Sequence, residues 1–443
     1  MIPMTDIFEN AYKALELAKK EGADEVEIYC MKGRSISIDI HRDVIDLAKE
    51  SLVSGIGIRA IVNGAVGFSS TNDVNRIKEA SILAVRSARV RGSDPQWSKL
   101  PGKSKPASVR DIFDRNIKDI QIEACIDLAS EMIRGSKSIS SVVPTSGHFV
   151  CADSTKFILN SNRIEIEEED TVVSASMDVI TKDMPISTAS EFDMSRKLDV
   201  DFYTIGEKAS SLALRSQNGI STQTRQCPVL LEPMAIADIL ENTLITSVDA
   251  DNVQKGRSSL IGKIGTSIAS EDLSIIDDGT FAGGLGTSSC DEEGTPSKIT
   301  PIIKDGILSS YIYDCYTAGK EKRESTGNAV RGSYTSTPSI GIRNLIIEHP
   351  SFDIIAQTQY GVIVNSVIGA HTANPISGDF SVEARNSFEI KDGQITSPIK
   401  SMMISGNIFE LLKNIDGMGK DVRKVGGVIT PTVRVAKMKV IGT

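Results

Sequence analysis

The stretch "SGIGIRAIVNGAVGFSSTND", residues 54–73, decides what kind of fold this chain can have. Gly55, Gly57 and Ala60 match the loose G-x-G-x-x-A pattern of a dinucleotide-binding turn, which would imply a parallel α/β protein. Such a turn must follow a strand and open a helix. Here the glycines lie inside a β-branched run that leads into Asn63-Gly64, a dipeptide suited to two-residue hairpins because both positions accept positive φ. We read a hairpin, and therefore antiparallel sheet and no nucleotide site.

Upstream, Phe8, Ala11, Leu15 and Ala18 fall on one face of a helix that Thr5 can cap and Gly22 can end. "DEVEIYCMKGRSISIDIHRD" (24–43) alternates like two strands around Gly33. Downstream, a helix is expected over 73–90 and another over 119–134, stopped by Gly135. The Pro-rich polar segment 93–111 separates them as a surface loop. The acid run at 165–170 reads as a solvated strand face, and "RQCPVLLEP" (225–233) as a short buried strand before a helix with Pro233 in its first turn. Beyond about residue 265, short apolar runs alternate with turns such as Asp305-Gly306, Asp392-Gly393 and Gly426-Gly427. The expected fold is α+β: an N-terminal α+β domain over 1–220 and a mostly antiparallel β-sheet domain over 221–443.

Composition removes several function classes. The 443 residues carry a formal charge of −9, so an electrostatic nucleic-acid footprint is not expected. No run approaches the ~20 apolar residues of a membrane span, and the N-terminus lacks a secretory h-region, so a cytoplasmic protein is expected. Aromatic residues are only 5%, so the cores must be aliphatic and small. The six cysteines are scattered, without a C-x-x-C pair. The four histidines, His41, His148, His349 and His371, include no pair at helical spacing, and none occurs between residues 149 and 348.

The densest chemistry lies in "DDGTFAGGLGTSSCDEEGTPSK" (277–298). Asp277, Asp278, Asp291, Glu292 and Glu293 could bind a hard cation or divide acid and base roles, or could simply anchor turns.

Taken in order, "GIGIRAIVNGAVGFSSTND", "CPVLLEP", this acidic stretch, "DGILSSYIYDCYTA" with "STGNAVR", and "SGDFSVEA" resemble the TldD/PmbA family, historically called modulators of DNA gyrase. The resemblance covers nearly the whole chain. It implies a two-domain, dimeric protein and a cytoplasmic metallopeptidase assembled from TldD-type and TldE-type chains, acting on unfolded or small peptides. Zinc is held in the TldD type by H-E-x-x-x-H plus a later cysteine. Aligned on Leu240, those two histidine positions carry Glu241 and Thr246 here, and no cysteine follows Cys315.

The chain therefore resembles the TldE/PmbA type. The resemblance implies no catalytic residue and no metal of its own, with zinc expected in a TldD-like partner. Asp238 and Glu241 could at most hold Mg²⁺ or Ca²⁺ weakly. Asp291 and Glu293, with Asp379 and Glu383 on the alternating stretch 374–390, are candidates to line a peptide cavity. Exposed edges of the C-terminal strands are expected to be covered by a partner or to pair with a peptide. The rivals are a self-sufficient divergent peptidase and a homodimeric peptide-binding or regulatory protein.

Overall fold

The computed structural model describes residues 4–442, with side chains from Glu9 onward, so the side chains of Thr5 and Phe8 lie outside it. Helix α1 (Met4–Lys20) stops at Gly22, whose φ of +94° is that of a helix-ending glycine. Strands β1 (Glu25–His41), β2 (Val44–Val62) and β3 (Ala65–Thr71) follow, then α2 (Ile77–Arg91). After the polar crossing and one short turn, α3 (Arg115–Lys118), the same order recurs. It runs α4 (Ile122–Ser136), β4 (Val142–Asn160), β5 (Glu165–Thr181), β6 (Thr188–Ser195) and α5 (Phe202–Arg215). The two αβββα units share one antiparallel sheet, ordered β3-β2-β1-β4-β5-β6.

The hairpin reading of residues 54–73 holds. Val62 pairs with Ala65 across Asn63 and Gly64, whose φ values are +49° and +79°. One face of the sheet carries the helices: Ile36, Ile38, Phe149 and Met177 pack under α4 and α5, and Ile28, Ile56 and Ile58 under α1 and α2. The other face presents Glu27, Tyr29, Arg59 and Lys156 to the C-terminal half.

Three local readings need correction. Gly33 is no turn, because β1 runs straight through it, and a Cβ there would stand 3.0 Å from the Asp153 carbonyl of β4. Gly135 lies inside α4 and serves close packing, not termination. A Cβ on it would meet the Tyr203 carbonyl of α5 at 2.0 Å. The acid run is not wholly solvated: Glu168 is buried, 3.4 Å from Lys156 Nζ.

The C-terminal half begins with β7 (Arg225–Leu231), α6 (Pro233–Asn242), α7 (Leu244–Val248) and α8 (Ala250–Gln254). Next come β8 (Ser274–Asp278), β9 (Ile299–Lys304), β10 (Ile307–Leu308), α9 (Cys315–Lys320), β11 (Ala329–Val330), β12 (Ser339–Ile340) and β13 (Leu345–Glu348). Strands β14 (Tyr360–Ile368), β15 (Asp379–Lys391), β16 (Gln394–Ile399) and β17 (Met402–Asn407) lead to α10 (Ile408–Lys413). The chain closes with β18 (Ile415–Met418), β19 (Arg423–Val425), β20 (Val428–Thr430) and β21 (Val433–Gly442).

Pairings β14-β7-β21-β17-β15 return to β14, so these strands close into a ring, with β16 and β18 attached outside it. A second sheet, β10-β9-β8-β13-β20-β19, shares its core with the ring. Most pairs are antiparallel, but β7–β14 and β13–β20 are parallel. Parallel pairing suits β7, whose Val229, Leu230 and Leu231 are each 0% exposed. The turns at Asp305-Gly306 and Asp392-Gly393 again have positive φ at both positions.

Closure removes open edges from the ring strands, while the second C-terminal sheet ends in the short strands β10 and β19. A longer open edge lies in the N-terminal sheet: β2 pairs with β3 only from Ile56 to Val62, so residues 44–55 have β1 on one side and no described strand on the other.

Candidate functional site

The residues singled out by sequence fall in three places. The first is the helix pair after β7. Pro233 starts α6 and removes a donor that has no partner in a first turn. At Thr243 the backbone leaves the helical region (φ −131°, ψ −73°), so Glu241 ends one helix and Thr246 sits in the next. Glu241 is exposed and points toward the β19–β20 turn, with Oε1 3.4 Å from where a Cβ on Gly426 would stand. Thr246 Oγ1 donates to the Thr243 carbonyl at 2.8 Å.

Although its side chain reaches solvent, partial desolvation raises the pKa of Glu241, and the neighbouring Asp238 carboxylate raises it further. Burial also raises Asp238, partly offset by His371 and by the amide of Asn242, which donates to Asp238 Oδ1 at 3.1 Å. These positions supply one free carboxylate and a hydroxyl already bonded to the backbone. Zinc sites are built from imidazole and thiolate with carboxylate in support, so this donor set does not fit zinc.

The second place is the acidic glycine-rich segment, and here the charges are consumed internally. Asp277 accepts from Arg343 N at 2.8 Å and from Asn328 Nδ2 at 2.6 Å. Asp278 accepts from Thr280 N at 2.8 Å, an Asx turn. Asp291 Oδ1 takes the backbone N–H groups of Glu293 and Thr295, and Oδ2 takes that of Ala329. Glu292 pairs with Lys156 at 2.9 Å.

Glu293 bonds Arg59 at 2.8 Å through one oxygen and the Cys315 N–H at 2.8 Å through the other. Arg59 continues to Glu27 at 2.5 Å, and Glu27 to Arg331 at 2.5 Å. No side chain of this Arg331–Glu27–Arg59–Glu293 chain is more than 5% exposed. Glu27 and Arg59 belong to the N-terminal sheet, Glu293 and Arg331 to C-terminal loops. The segment is thus a buried electrostatic joint between the two halves.

Asp291 and Glu293, expected on a peptide cavity, are both 0% exposed, and their oxygens are already bonded, so in this chain they touch no cavity. Burial and the neighbouring Glu293 push Asp291 up to about 7. Burial also disfavours the Glu293 carboxylate, but the Arg59 guanidinium and the Cys315 N–H outweigh it and hold its pKa below the usual range. Burial, with Glu293 and Asp291 nearby, raises the Cys315 thiol well above its usual value, which leaves it a poor nucleophile.

Sequence reasoning missed Arg59 and Lys156. For Arg59 the available signal was a lone cation in the apolar run Gly55–Val62, since long charged side chains are seldom fully buried unless paired; Lys156, after Asp153-Ser154-Thr155, carried no such signal.

The third place is β15. The expected alternation holds, with Phe380, Val382 and Ala384 buried and Asp379, Ser381 and Glu383 exposed. Asp379 accepts from Ser377 Oγ at 2.7 Å and Asn407 Nδ2 at 2.9 Å, bonds that lower its pKa and fix the turn into the strand. Glu383 lines a cavity of about 530 Å³ where the central unit meets the ring. Thus Glu383 borders a surface cavity, Asp379 anchors a turn, and both lie apart from the Asp291–Glu293 joint. Among the described residues no helix is long and apolar enough to cross a membrane.

Comparison with known proteins agrees with this architecture. Family models match residues 26–88 as PmbA/TldA metallopeptidase domain 1, 115–217 as the central domain and 224–442 as the C-terminal domain. An uncharacterized protein of Methanocaldococcus jannaschii is 35% identical over 95% of this chain and 97% of its own length. A Methanothermobacter thermautotrophicus protein named a metalloprotease is 28% identical, over 91% of this chain and 90% of its own. The crystal structure of TldE from Thermococcus kodakarensis has the same fold, with a TM-score of 0.91 at 24% identity, over 98% of this chain and 100% of that one. Two αβββα units on one sheet, joined by buried ion pairs to a C-terminal half that contains a closed β ring, and domain models that match all three parts, place this chain in the PmbA/TldD family.

Proposed function

We propose that this chain is the TldE-type, non-catalytic subunit of a two-chain cytoplasmic peptidase acting on unfolded or small peptides. A TldD-like partner supplies the zinc and the hydrolytic chemistry. The observation that carries the reading is the chemistry of the positions which, aligned on Leu240, correspond to the family's metal histidines: these are Glu241 and Thr246, and residues 149 to 348 contain no histidine. The likeness of fold to a protein titled TldE supports the same assignment.

The buried acidic joint supports it from another side, because Glu292 and Glu293 are spent on ion pairs to the N-terminal half and Asp277 and Asp291 on bonds within the C-terminal half. In this role the chain shapes one side of the chamber in which the partner's metal works.

Elemental analysis of the purified chain tests the reading. Less than about a tenth of an equivalent of zinc is expected, against the roughly one tightly held ion of a true protein zinc site. A stoichiometric zinc that survives dialysis would overturn it.

A further inference from the structure

The cavity at Glu383 has walls from four separate segments. The β5–β6 turn contributes Ile186, the segment after α5 contributes Gln217, β15 contributes Glu383 and Arg385, and the β16–β17 turn contributes Lys400. Its frame is fixed by hydrogen bonds that cross between the halves. Asn386, held at φ +47°, donates through Nδ2 to the Thr188 carbonyl and to Ser216 Oγ, each at 2.9 Å. Arg385 donates to Thr188 Oγ1 at 2.5 Å, and the Ile220 N–H to the Pro398 carbonyl at 2.8 Å. Gln217 Nε2 ties the turn back through the Asp183 and Pro185 carbonyls. Gly219 is required by close approach, since a Cβ there would stand 2.5 Å from Lys400 N.

Within this braced frame, two opposite charges are unused. Neither the Glu383 carboxylate nor the Lys400 ammonium has an ion-pair or side-chain hydrogen-bond partner among the described residues. Arg385 makes only its bond to Thr188. An ammonium group suits Glu383, helped by the negative end of the 14-residue α5 that terminates at the cavity. A carboxylate suits Lys400 and Arg385. Ile186, 47% exposed, offers apolar surface at the rim. The volume, about 530 Å³, falls in the range of small-molecule sites, roughly 300–1,000 Å³, and is far too small for a folded partner.

We propose that this cavity binds a small zwitterion with an apolar side chain, of free amino-acid or dipeptide size, with its ammonium at Glu383 and its carboxylate at Lys400 and Arg385. The choice of a peptide fragment over other zwitterions rests on the peptidase reading above. Occupancy would bridge the central unit and the ring.

The test is isothermal titration of the full-length chain alone, with and without chelator, using leucyl-leucine, its N-acetyl form and its C-terminal amide. The expected result is saturable binding of leucyl-leucine with Kd below about 1 mM, weakened about tenfold or more by either block. Glu383→Gln should erase the preference for the free amine only, and Lys400→Met the preference for the free carboxylate only. Both side chains are exposed, so both variants should fold with unchanged melting.

Absence of saturable binding up to about 10 mM for every ligand, or equal binding of all three, overturns the proposal. So does binding that neither variant alters. Because the measurement needs neither partner nor metal, its failure leaves the subunit assignment to be judged by the zinc content.

Discussion

Replacing Arg59 by methionine should destabilise the chain by about 3–5 kcal/mol, because it strips a fully buried carboxylate pair of its shared cation. Glu27 would keep Arg331, but Glu293 would lose its only ion-pair partner, keep its bond to the Cys315 N–H, and sit beside the Asp291 carboxylate. Methionine fills much of the same volume, so the loss reports the unpaired charge and not a cavity. Methionine at Arg76, whose ion pair with Glu79 is open to solvent, should leave the melting midpoint where it is. Thermal melts of the two variants beside the parent check the contrast. Equal midpoints for Arg59→Met and the parent would mean that the buried chain of charges does not hold the halves together.

Gly206→Val should be nearly as costly, at about 3 kcal/mol or more, the upper end of overpacking effects. Helices α4 and α5 touch through Gly135 and Gly206. A Cβ on Gly206 would stand 2.1 Å from the Met132 carbonyl and 2.4 Å from Ser136 N. Both are backbone atoms, so no rotamer change relieves the clash, and the helices must separate. Alanine at Gly102, which has open space around it and an ordinary φ, should be neutral or slightly stabilising. Urea midpoints of both variants measure the difference. A wild-type midpoint for Gly206→Val would show that the helix pair adjusts freely.

Local features were legible in the sequence where one residue type has a local conformational reason to be there. Asn63-Gly64, Asp305-Gly306 and Asp392-Gly393 each mark hairpins, because positive φ at two successive residues is a strong constraint. The α+β class and the alternation of β15 followed from periodicity in the same way.

What stayed hidden depends on contacts between distant segments. Gly33 and Gly135 look like stops in one dimension, and only the approach of Asp153 and Tyr203 shows them to be packing sites. The repeated αβββα unit was not recognised because the two units keep a pattern of elements with different side chains. The closed ring depends on β7 meeting β14 across more than a hundred residues, which periodicity cannot register. The burial of the acidic segment was hidden for the same reason: Asp291 and Glu293 could anchor structure or line a cavity, and only the approach of Arg59, from a strand more than two hundred residues earlier, shows that Glu293 is spent on a buried ion pair.

The most direct test of the central claim is hydrolysis of an unstructured peptide, such as a casein fragment. It should be measured for this chain alone and for its mixture with a family member from the same organism that carries H-E-x-x-x-H. The account predicts no cleavage by the chain alone, cleavage by the co-purifying pair, and loss of that cleavage on adding a chelator. Chelator-resistant hydrolysis by the isolated chain, persisting through repurification, would contradict it.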